Sequence, residues 1–408
     1  MKTSIGFANC PDSYLCGMQC AEQVVPNGVL TNAVLVLAFC SGNHHAESFY
    51  NGLRKIINAK VPIIGGSAIG IITNHQLTYE GHPGAILVIS TDDNPIQVAF
   101  AQGIDKEEFL IGTQLGRQLS AQELKDCALL LFYDSIKQPP TSTTPPIMNA
   151  SPPLIAGIES ILGMQIPIVG AGLIGDYGFG RTSQFCGFSV GQQCAVAAIL
   201  PKSIKAYVQI MHGCMPLDGI YHKITKMDGA IIYEVDGKPI VEMIDQIYGN
   251  QAWREQRPLK RLSIGVNHGE KFGAIDEDKI VTRLISGITP QGNGIILFEP
   301  DLEEGMEFLF MLRDNEIIIR SVQQNSTRII ERILQEGYNP LVGLYIDCAG
   351  RTSTYSESII EEAEPLQRIF NGKNIPLLGF YSGVEIAPIM GKSRGLDWTG
   401  VLLVLAEG

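Results

Sequence analysis

One short phrase occurs three times in this chain of 408 residues, and it constrains the fold more than any other feature. The phrase is an apolar stretch with proline in second place and glycine in fifth, at residues 61–65 (VPIIG), 166–170 (IPIVG) and 375–379 (IPLLG). An apolar run precedes each phrase, and a polar, glycine-rich interval and a second apolar run follow it. The recurrence predicts duplicated β–α–β–turn–β units, with the chain turning sharply at each glycine.

The spacing of apolar residues predicts two helices in each copy. The first helix is expected before the first apolar strand, at 12–25, 106–119 and 321–336. The second is expected between that strand and the phrase, at 46–59, at 154–162 and, bent or broken near Pro365, at 356–371. The interval 137–153 contains six prolines, so it predicts an irregular surface insertion.

The chain is longer than one core normally holds, so at least two domains are expected. A boundary near Pro201 divides it into 1–200 and 201–408, with 306–408 as the third copy. The part at 201–305 is expected to be rich in strands, and 262–266 (LSIGV) leaves open whether it hides a degenerate fourth copy. Hairpin turns are predicted at 227–229 and 236–237. The predicted class is α/β, with mixed sheets whose turn–strand elements are antiparallel.

The net charge and the cysteines indicate which partners and which cellular compartment to expect. The net charge of −12 disfavours nucleic acids and anionic membranes, which attract basic surfaces. No apolar stretch approaches the roughly 20 residues that span a bilayer. Nine cysteines without paired spacing indicate reduced thiols, and the first residues show no signal peptide, so we expect a cytoplasmic protein.

Residues 170–175 (GAGLIG) match the dinucleotide-binding pattern G-x-G-x-x-G, but the pattern requires that a helix begin there. The following residues, 176–181 (DYGFGR), are too rich in glycine to open a helix. We therefore expect neither a dinucleotide nor another cofactor, and no metal-ligand spacing is present in the sequence.

Two segments near the end of the chain carry candidate site residues. Cys348 ends an apolar strand, Gly350 permits a turn, and Arg351 offers a planar cation suited to a carboxylate or phosphate. The alternative is a packed cysteine followed by a turn and a surface arginine. After the third phrase, Tyr381, Ser382 and Glu385 supply an aromatic wall, a hydroxyl group and an acid. Together with the glycine-rich turns, the predicted ligand-binding residues are Gly65, Gly66, Ser67, Gly170, Gly172, Cys348, Gly350, Arg351, Gly379, Tyr381, Ser382 and Glu385.

These motifs resemble those of the FIST family over most of the chain. The C-terminal FIST domain is matched by 348–351 (CAGR), 376–381 (PLLGFY) and Glu385, and the N-terminal domain by 34–39 (VLVLAF), 62–67 (PIIGGS) and Gly70. The linking stretch is matched at 213–217 (GCMPL), 223–225 (KIT) and 234–239 (EVDGKP). One departure is Gly383-Val384, where relatives tend to have an aromatic residue and a glycine.

The resemblance implies a sensory module of intracellular signalling that binds small molecules such as amino acids. Because FIST-like sequence fills the chain, the output is expected to pass through a separate signalling partner. In this interpretation Arg351 binds the ligand's carboxylate, Glu385 its amine, and Tyr381 walls the pocket. The alternative is an enzyme with Cys348, or less favourably Cys214, as nucleophile, and with His212 or Asp347 accepting the proton.

Overall fold

The computed structural model describes residues 1–92, 96–120, 124–141 and 146–408. Within these residues the chain forms three α/β units of one plan and a fourth, largely antiparallel sheet. The first unit consists of β1 (Lys2–Asn9), α1 (Ser13–Glu22), β2 (Ala33–Ser41), α2 (Ala46–Arg54), β3 (Ile63–Ala68), β4 (Ile71–Thr73), β5 (Leu77–Thr78) and β6 (Pro83–Ser90).

The second unit repeats this order with one small additional sheet. It consists of β7 (Val98–Gln102), α3 (Glu108–Leu119), β8 (Ala128–Asp134), β9 (Ile136–Gln138), β10 (Ile147–Met148), α4 (Ser151–Leu162), β11 (Ile168–Leu173), β12 (Gln184–Gly187), β13 (Val190–Gly191) and β14 (Cys194–Leu200). The strands β9 and β10 pair within the interval that was expected to be irregular, and 142–145 of that interval lie outside the described residues.

The third unit begins with β15 (Lys205–Met211) and is then interrupted by the fourth, largely antiparallel sheet. That inserted sheet comprises β16 (Cys214–Asp228), β17 (Ile231–Val235), β18 (Lys238–Pro239), α5 (Ile240–Tyr248), β19 (Leu262–Asn267), β20 (Ile280–Arg283), β21 (Ile285–Ile288), β22 (Ile295–Leu297) and β23 (Glu307–Arg313). The unit then resumes with α6 (Asn315–Gln335), β24 (Asn339–Cys348), α7 (Ser353–Ser356), α8 (Ala363–Gly372), β25 (Leu377–Ser382), β26 (Val384–Ile389), β27 (Lys392–Leu396) and β28 (Gly400–Glu407).

The three units share one strand arrangement. In each unit, the strand before the second helix lies parallel to the strand that carries the repeated phrase, which we call the phrase strand. These pairs are β2–β3, β8–β11 and β24–β25. The last strand of each unit lies antiparallel beside that pair, and the first strand lies at the outer edge. The predicted α/β class with mixed sheets and duplicated units is confirmed.

A short antiparallel hairpin follows each phrase strand and joins the sheet of a different unit. The hairpin β4–β5 extends the third sheet at β25, β12–β13 extends the first sheet at β3, and β26–β27 extends the second sheet at β11. We call these the exchanged hairpins. Because the exchange is cyclic, each of the three sheets has four strands of its own and two from another unit.

The repeated glycine is explained by close backbone contact within these sheets. A Cβ atom at Gly65 would overlap the carbonyl oxygen of Ala38, and one at Gly170 would overlap that of Leu131. The equivalent Cβ atom at Gly379 would lie 2.8 Å from the carbonyl oxygen of Tyr345. The expectation that the chain turns at these glycines is therefore wrong, because all three lie inside strands.

The inner faces of the three sheets meet in one apolar core. Three phenylalanines lie together there: the ring centroids of Phe39 and Phe380 are 3.8 Å apart, and that of Phe132 is 5.3 Å from Phe39. The helices cover the outer faces, so the central strands are buried on both sides. This explains why β2 and β8 are continuous apolar runs rather than alternating ones.

The inserted sheet is not a fourth copy. The strand β19 pairs antiparallel with β20 and β23, and Gly265 faces the side chain of Met311 rather than a neighbouring carbonyl group. The predicted hairpin turns are confirmed, since β16 ends at Asp228 before β17, and β17 ends at Val235 before β18.

The helix predicted at 356–371 breaks earlier than expected. Residues 357–362 are not helical, and Pro365 lies in the first turn of α8, where its missing N–H costs no hydrogen bond.

Candidate functional site

Half of the candidate residues meet at the carboxyl ends of the parallel strands β24 and β25. In this register Asp347 lies opposite Tyr381, and Cys348 lies opposite Ser382. The carboxyl ends of parallel strands are a common place for ligand sites, because the loops that follow them converge there. Here the converging segment is 349–362, which leads from β24 to α8.

Arg351 is buried at the centre of this segment and not on the surface. Its Nε donates to Oε2 of Glu362 at 2.6 Å and lies 3.2 Å from Oδ1 of Asp347. Its Nη1 donates to the carbonyl oxygens of His212 at 3.1 Å and Trp398 at 2.8 Å. Although burial opposes its charge, the carboxylate of Glu362 raises the pKa of Arg351 further above its ordinary value. Its remaining nitrogen, Nη2, has no hydrogen-bond partner among the described residues.

The carboxyl groups around Arg351 are themselves buried. Glu362 accepts at Oε1 from the hydroxyl group of Tyr345 at 2.6 Å, so both of its oxygens are bound. Burial, and then the nearby charge of Glu362, raise the pKa of Asp347 well above its ordinary value. Burial likewise raises the pKa of Glu385, which accepts from Ser382 Oγ at 2.8 Å.

A cleft opens onto this cluster beside the first turn of α6. It contains about 180 Å³ of space, part of it open solvent, and has room for about one water molecule. It is lined by Arg313, Asn315, Ile318, Ile319, Arg351, Ser356, Ser358, Ile360 and Glu362. Cys348, Tyr381 and Glu385 lie in the buried interior and not in this lining.

Arg313, the last residue of β23, brings a second guanidinium group to the cleft. Its Nη2 donates to the carbonyl oxygen of Gly350 at 3.0 Å, and its Cζ lies 4.1 Å from the ring centroid of Trp398. Burial and the positive charge of Arg351 lower its pKa. Among the described residues, no carboxylate lies within ion-pair distance of Arg313, and its Nε has no hydrogen-bond partner.

The wall of the cleft contacts residues of the other two units. Tyr79, just after the first exchanged hairpin, places its hydroxyl group 2.8 Å from Oε1 of Glu361 and 2.8 Å from Oγ1 of Thr354. Tyr177 of the second unit places its hydroxyl group 2.6 Å from Oγ1 of Thr352, and its ring stacks on Tyr355. Segment 349–362 is therefore in contact with all three units.

The glycine and serine residues predicted in the first two units lie within strands: Gly65, Gly66 and Ser67 in β3, and Gly170 and Gly172 in β11, which pairs with β26, the strand that carries Glu385. Gly66 and Ser67 face the strand of the second exchanged hairpin, where Ser67 Oγ accepts from the amide of Ser183 at 3.0 Å. Gly172 leaves room for Ser135 and Tyr133, and its carbonyl oxygen accepts from the amide of Gly383 at 2.9 Å. The structure thus brings together Cys348, Gly350, Arg351, Tyr381, Ser382 and Glu385, while the role of the other six residues stays a prediction.

The four groups of the enzyme interpretation, Cys348, Cys214, His212 and Asp347, are all buried. Burial and then the charge of Glu385 raise the pKa of Cys348, and burial raises that of Cys214 to about 11. Burial lowers the pKa of His212, whose Nδ1 accepts from the amide of Cys214 at 2.9 Å. A raised thiol pKa reduces the thiolate fraction, and thiolate is the nucleophile.

Three residues of the cluster were missed by the sequence reasoning: Arg313, Glu362 and Trp398. They come from the inserted sheet, the start of α8 and the turn before β28. No local pattern joins them, because their proximity arises only when the inserted sheet packs against the third unit. For Arg313, the one local signal is its position as an arginine at the end of the apolar strand β23.

Neither metal ligation nor membrane crossing is indicated in the part of the chain that the structure describes. Within 1–92, 96–120, 124–141 and 146–408, no group of three or more His, Cys, Asp or Glu side chains is placed to hold a metal ion. In the same ranges, no helix combines the length and apolar character needed to cross a bilayer.

Two protein-family models match this chain. The FIST N domain matches residues 34–238, and the FIST C domain matches residues 241–388. The chain belongs to the FIST family. FIST domains are generally associated with signal transduction and the sensing of small ligands.

FIST relatives from bacteria and an archaeon are similar to this chain. An uncharacterized protein of Mycobacterium tuberculosis is 28% identical over 200 residues, which are 48% of this chain and 50% of the relative. An uncharacterized protein of Methanocaldococcus jannaschii is 26% identical over 396 residues, which are 94% of this chain and 71% of the relative. The chain thus spans about half the length of the mycobacterial relative that it matches.

Solved structures resemble this FIST chain more distantly. A cyanuric acid hydrolase aligns over 100% of this chain and 99% of its own, with a TM-score of 0.31 and 8% identity. PurLQS from Thermotoga maritima aligns over 100% of this chain and 72% of its own, with a TM-score of 0.23 and 9% identity. At these TM-scores neither likeness carries an argument about fold or function.

Proposed function

We propose that this FIST protein is a cytoplasmic sensor that binds an amino acid or a similar small carboxylate in the cleft beside Arg351, and that it signals through a separate output protein. The observation that carries the proposal is that Nη2 of Arg351, a buried guanidinium nitrogen at the wall of an open cleft, has no hydrogen-bond partner within the described ranges. A buried donor without a partner costs about 1–3 kcal/mol, which a bound carboxylate would offset.

The cleft also offers groups for the rest of such a ligand. Ser356 and Ser358 supply hydroxyl groups, Glu362 supplies an acidic oxygen, and Ile318 and Ile319 supply an apolar wall. Of these two buried acids only Glu362 lines the cleft, so we assign the ligand's amine to Glu362 rather than to Glu385. The division of the chain into 1–200 and 201–408 belongs to this proposal, with the sensory site in the second part.

No observation on the described residues favours the cysteine-dependent enzyme. Its four groups lie in the interior, and the pKa of each thiol is raised. The sensor needs no chemistry beyond binding, so the cleft and its charges suffice for it.

A thermal-shift screen against the twenty amino acids, repeated by titration calorimetry, tests the proposal. A ligand that binds the folded state raises its stability by about 2.7 kcal/mol at a hundredfold excess over its dissociation constant. The variant Ile319→Phe fills the cleft, while Ile317→Phe changes the same turn of α6 outside the cleft lining. We expect the shift in the wild type and in Ile317→Phe but not in Ile319→Phe. The proposal would be overturned if none of the amino acids raised the melting temperature, or if the rise persisted in Ile319→Phe.

A further inference from the structure

Two guanidinium groups lie in the same cleft with unequal charge compensation. Arg351 has the carboxyl groups of Glu362 and Asp347 within ion-pair distance. Arg313 has none among the described residues, and its nearest polar contacts are the neutral carbonyl oxygens of Gly350 and Lys260. The positive charge that lacks a partner in the cleft is therefore that of Arg313.

This arrangement is unfavourable without a further anion. Arg313 is 5% exposed, and a buried cation without a counter-charge costs several kcal/mol. The neighbouring charge of Arg351 adds repulsion. The face of Trp398 offsets part of the cost through a cation–π contact, but an aromatic face does not replace a carboxylate.

Unpartnered donors mark where such an anion would bind. Arg313 Nε and Arg351 Nη2 both lack hydrogen-bond partners within the described ranges, and both side chains line the cleft. The cleft has room for about one water molecule and is partly open to solvent, so a group as small as a carboxylate can enter while the body of a ligand stays outside it. The planar fork of a guanidinium group suits the two oxygens of a carboxylate.

We infer that Arg313 is the anchoring residue for the ligand's anionic group, and that the site takes one carboxylate, held between Arg313 and Arg351. The inference rests on the proposed function and names the specificity of its site. Arg351 acts mainly as part of the buried network with Glu362 and contributes one donor nitrogen. A ligand with a single carboxylate compensates the single unpaired charge, and a second carboxylate finds no further unpaired cation among the described residues that line the cleft.

Acetate is a suitable probe because it is little more than a carboxylate. We expect sodium acetate to raise the melting temperature of the protein above that in sodium chloride of equal ionic strength, and acetamide, its neutral analogue, to have no such effect. Malonate, which carries two carboxylates, is expected to bind no more tightly than acetate in titration calorimetry. Tighter binding of malonate would overturn the single-anion part of the inference.

The variant Arg313→Gln is expected to lose the acetate-dependent increment. Its control is Arg320→Gln, which removes an exposed arginine from α6 outside the cleft lining and should keep the increment. A purely structural role of Arg313 would lower the melting temperature equally in acetate and in chloride, and that result would overturn the inference. If Arg313→Gln does not fold, Arg313→Lys decides: it retains the charge but not the fork, and we expect acetate affinity at least about tenfold weaker. An acetate affinity of Arg313→Lys equal to that of the wild type would contradict the inference.

The two proposals can fail separately. If an amino acid binds the wild type and Ile317→Phe but also binds Arg313→Gln unchanged, the sensor stands and the anchoring role is wrong. If no amino acid binds while acetate still depends on Arg313, the anion site stands and the amino-acid ligand is wrong.

Discussion

Arg351 and Glu362 form a buried ion pair across the segment that walls the cleft, with Nε donating to Oε2 at 2.6 Å. Arg351 lies shortly after β24 and Glu362 directly before α8, so the pair fixes both ends of the segment between these two elements. It positions the wall of the proposed site.

Replacing Glu362 by glutamine should destabilise the protein strongly. It leaves Arg351 without its closest counter-charge, and breaking a buried pair costs about 3–5 kcal/mol. Urea denaturation measures the change in the free energy of unfolding. The matched control is Glu364→Gln, which breaks the exposed pair with Arg368 on the same helix and should cost less than about 1 kcal/mol. Equal costs for the two variants would show that the buried pair contributes no more than the surface one.

Gly350→Ala should destabilise the site by overpacking. Its Cβ would overlap the ring of Trp398, which also stacks on Arg313. We expect a loss of about 1–3 kcal/mol together with weaker acetate binding. Gly372→Ala is the control, since no atom lies within 4 Å of its Cβ position and alanine favours the helix. If Gly350→Ala left the free energy of unfolding unchanged, the ring of Trp398 would have to move aside without cost.

Glu385→Gln should make stability less dependent on pH. Burial raises the pKa of Glu385 above its unfolded value of about 4.3. Between the two pKa values the folded protein retains a proton that the unfolded chain releases, so the wild type loses stability as the pH rises, by at most about 1.4 kcal/mol per pH unit. Glutamine cannot ionise, so the variant should gain on the wild type between pH 5 and pH 8, as chemical denaturation at both values would reveal. Exposed Glu331→Gln should show no such gain, and a parallel pH profile for Glu385→Gln would contradict the expectation.

Cys348 should react slowly with iodoacetamide near neutral pH. It is buried and its pKa is raised, whereas Cys10 is partly exposed. Mass spectrometry after timed labelling should find Cys10 modified first and Cys348 among the last. Rapid labelling of Cys348 in the folded protein would instead revive the enzyme interpretation.

Phe380→Ala should cost about 3–5 kcal/mol, because it opens a cavity where the three sheets meet. Phe272, which is 91% exposed, provides the comparison, and Phe272→Ala should be nearly neutral. Similar melting temperatures for the two variants would argue against a shared central core.

Much of the site could be predicted from the sequence because its members follow repeated strands. Cys348 ends β24 and is followed by Gly350 and Arg351, and Tyr381 and Ser382 end β25, so the parallel pairing of the two strands brings them together. Glu362 could not be selected in this way, since it lies in an irregular stretch where no period applies. Arg313 could not be selected either, because the inserted sheet that carries it has no local sequence relation to the third unit.

The sequence alone determined the three copies, their helices and their parallel strand pairs, because apolar periodicity and the repeated glycine act over a few residues. Tertiary structure decided which sheet each hairpin joins: β4–β5 pairs with β25 of the third unit, and the three units meet in one core at Phe39, Phe132 and Phe380. It also decided that Arg351 is buried and Arg313 unpaired, since both depend on how the inserted sheet packs on the third unit. Such contacts are set by burial across long sequence separations, which no local pattern records.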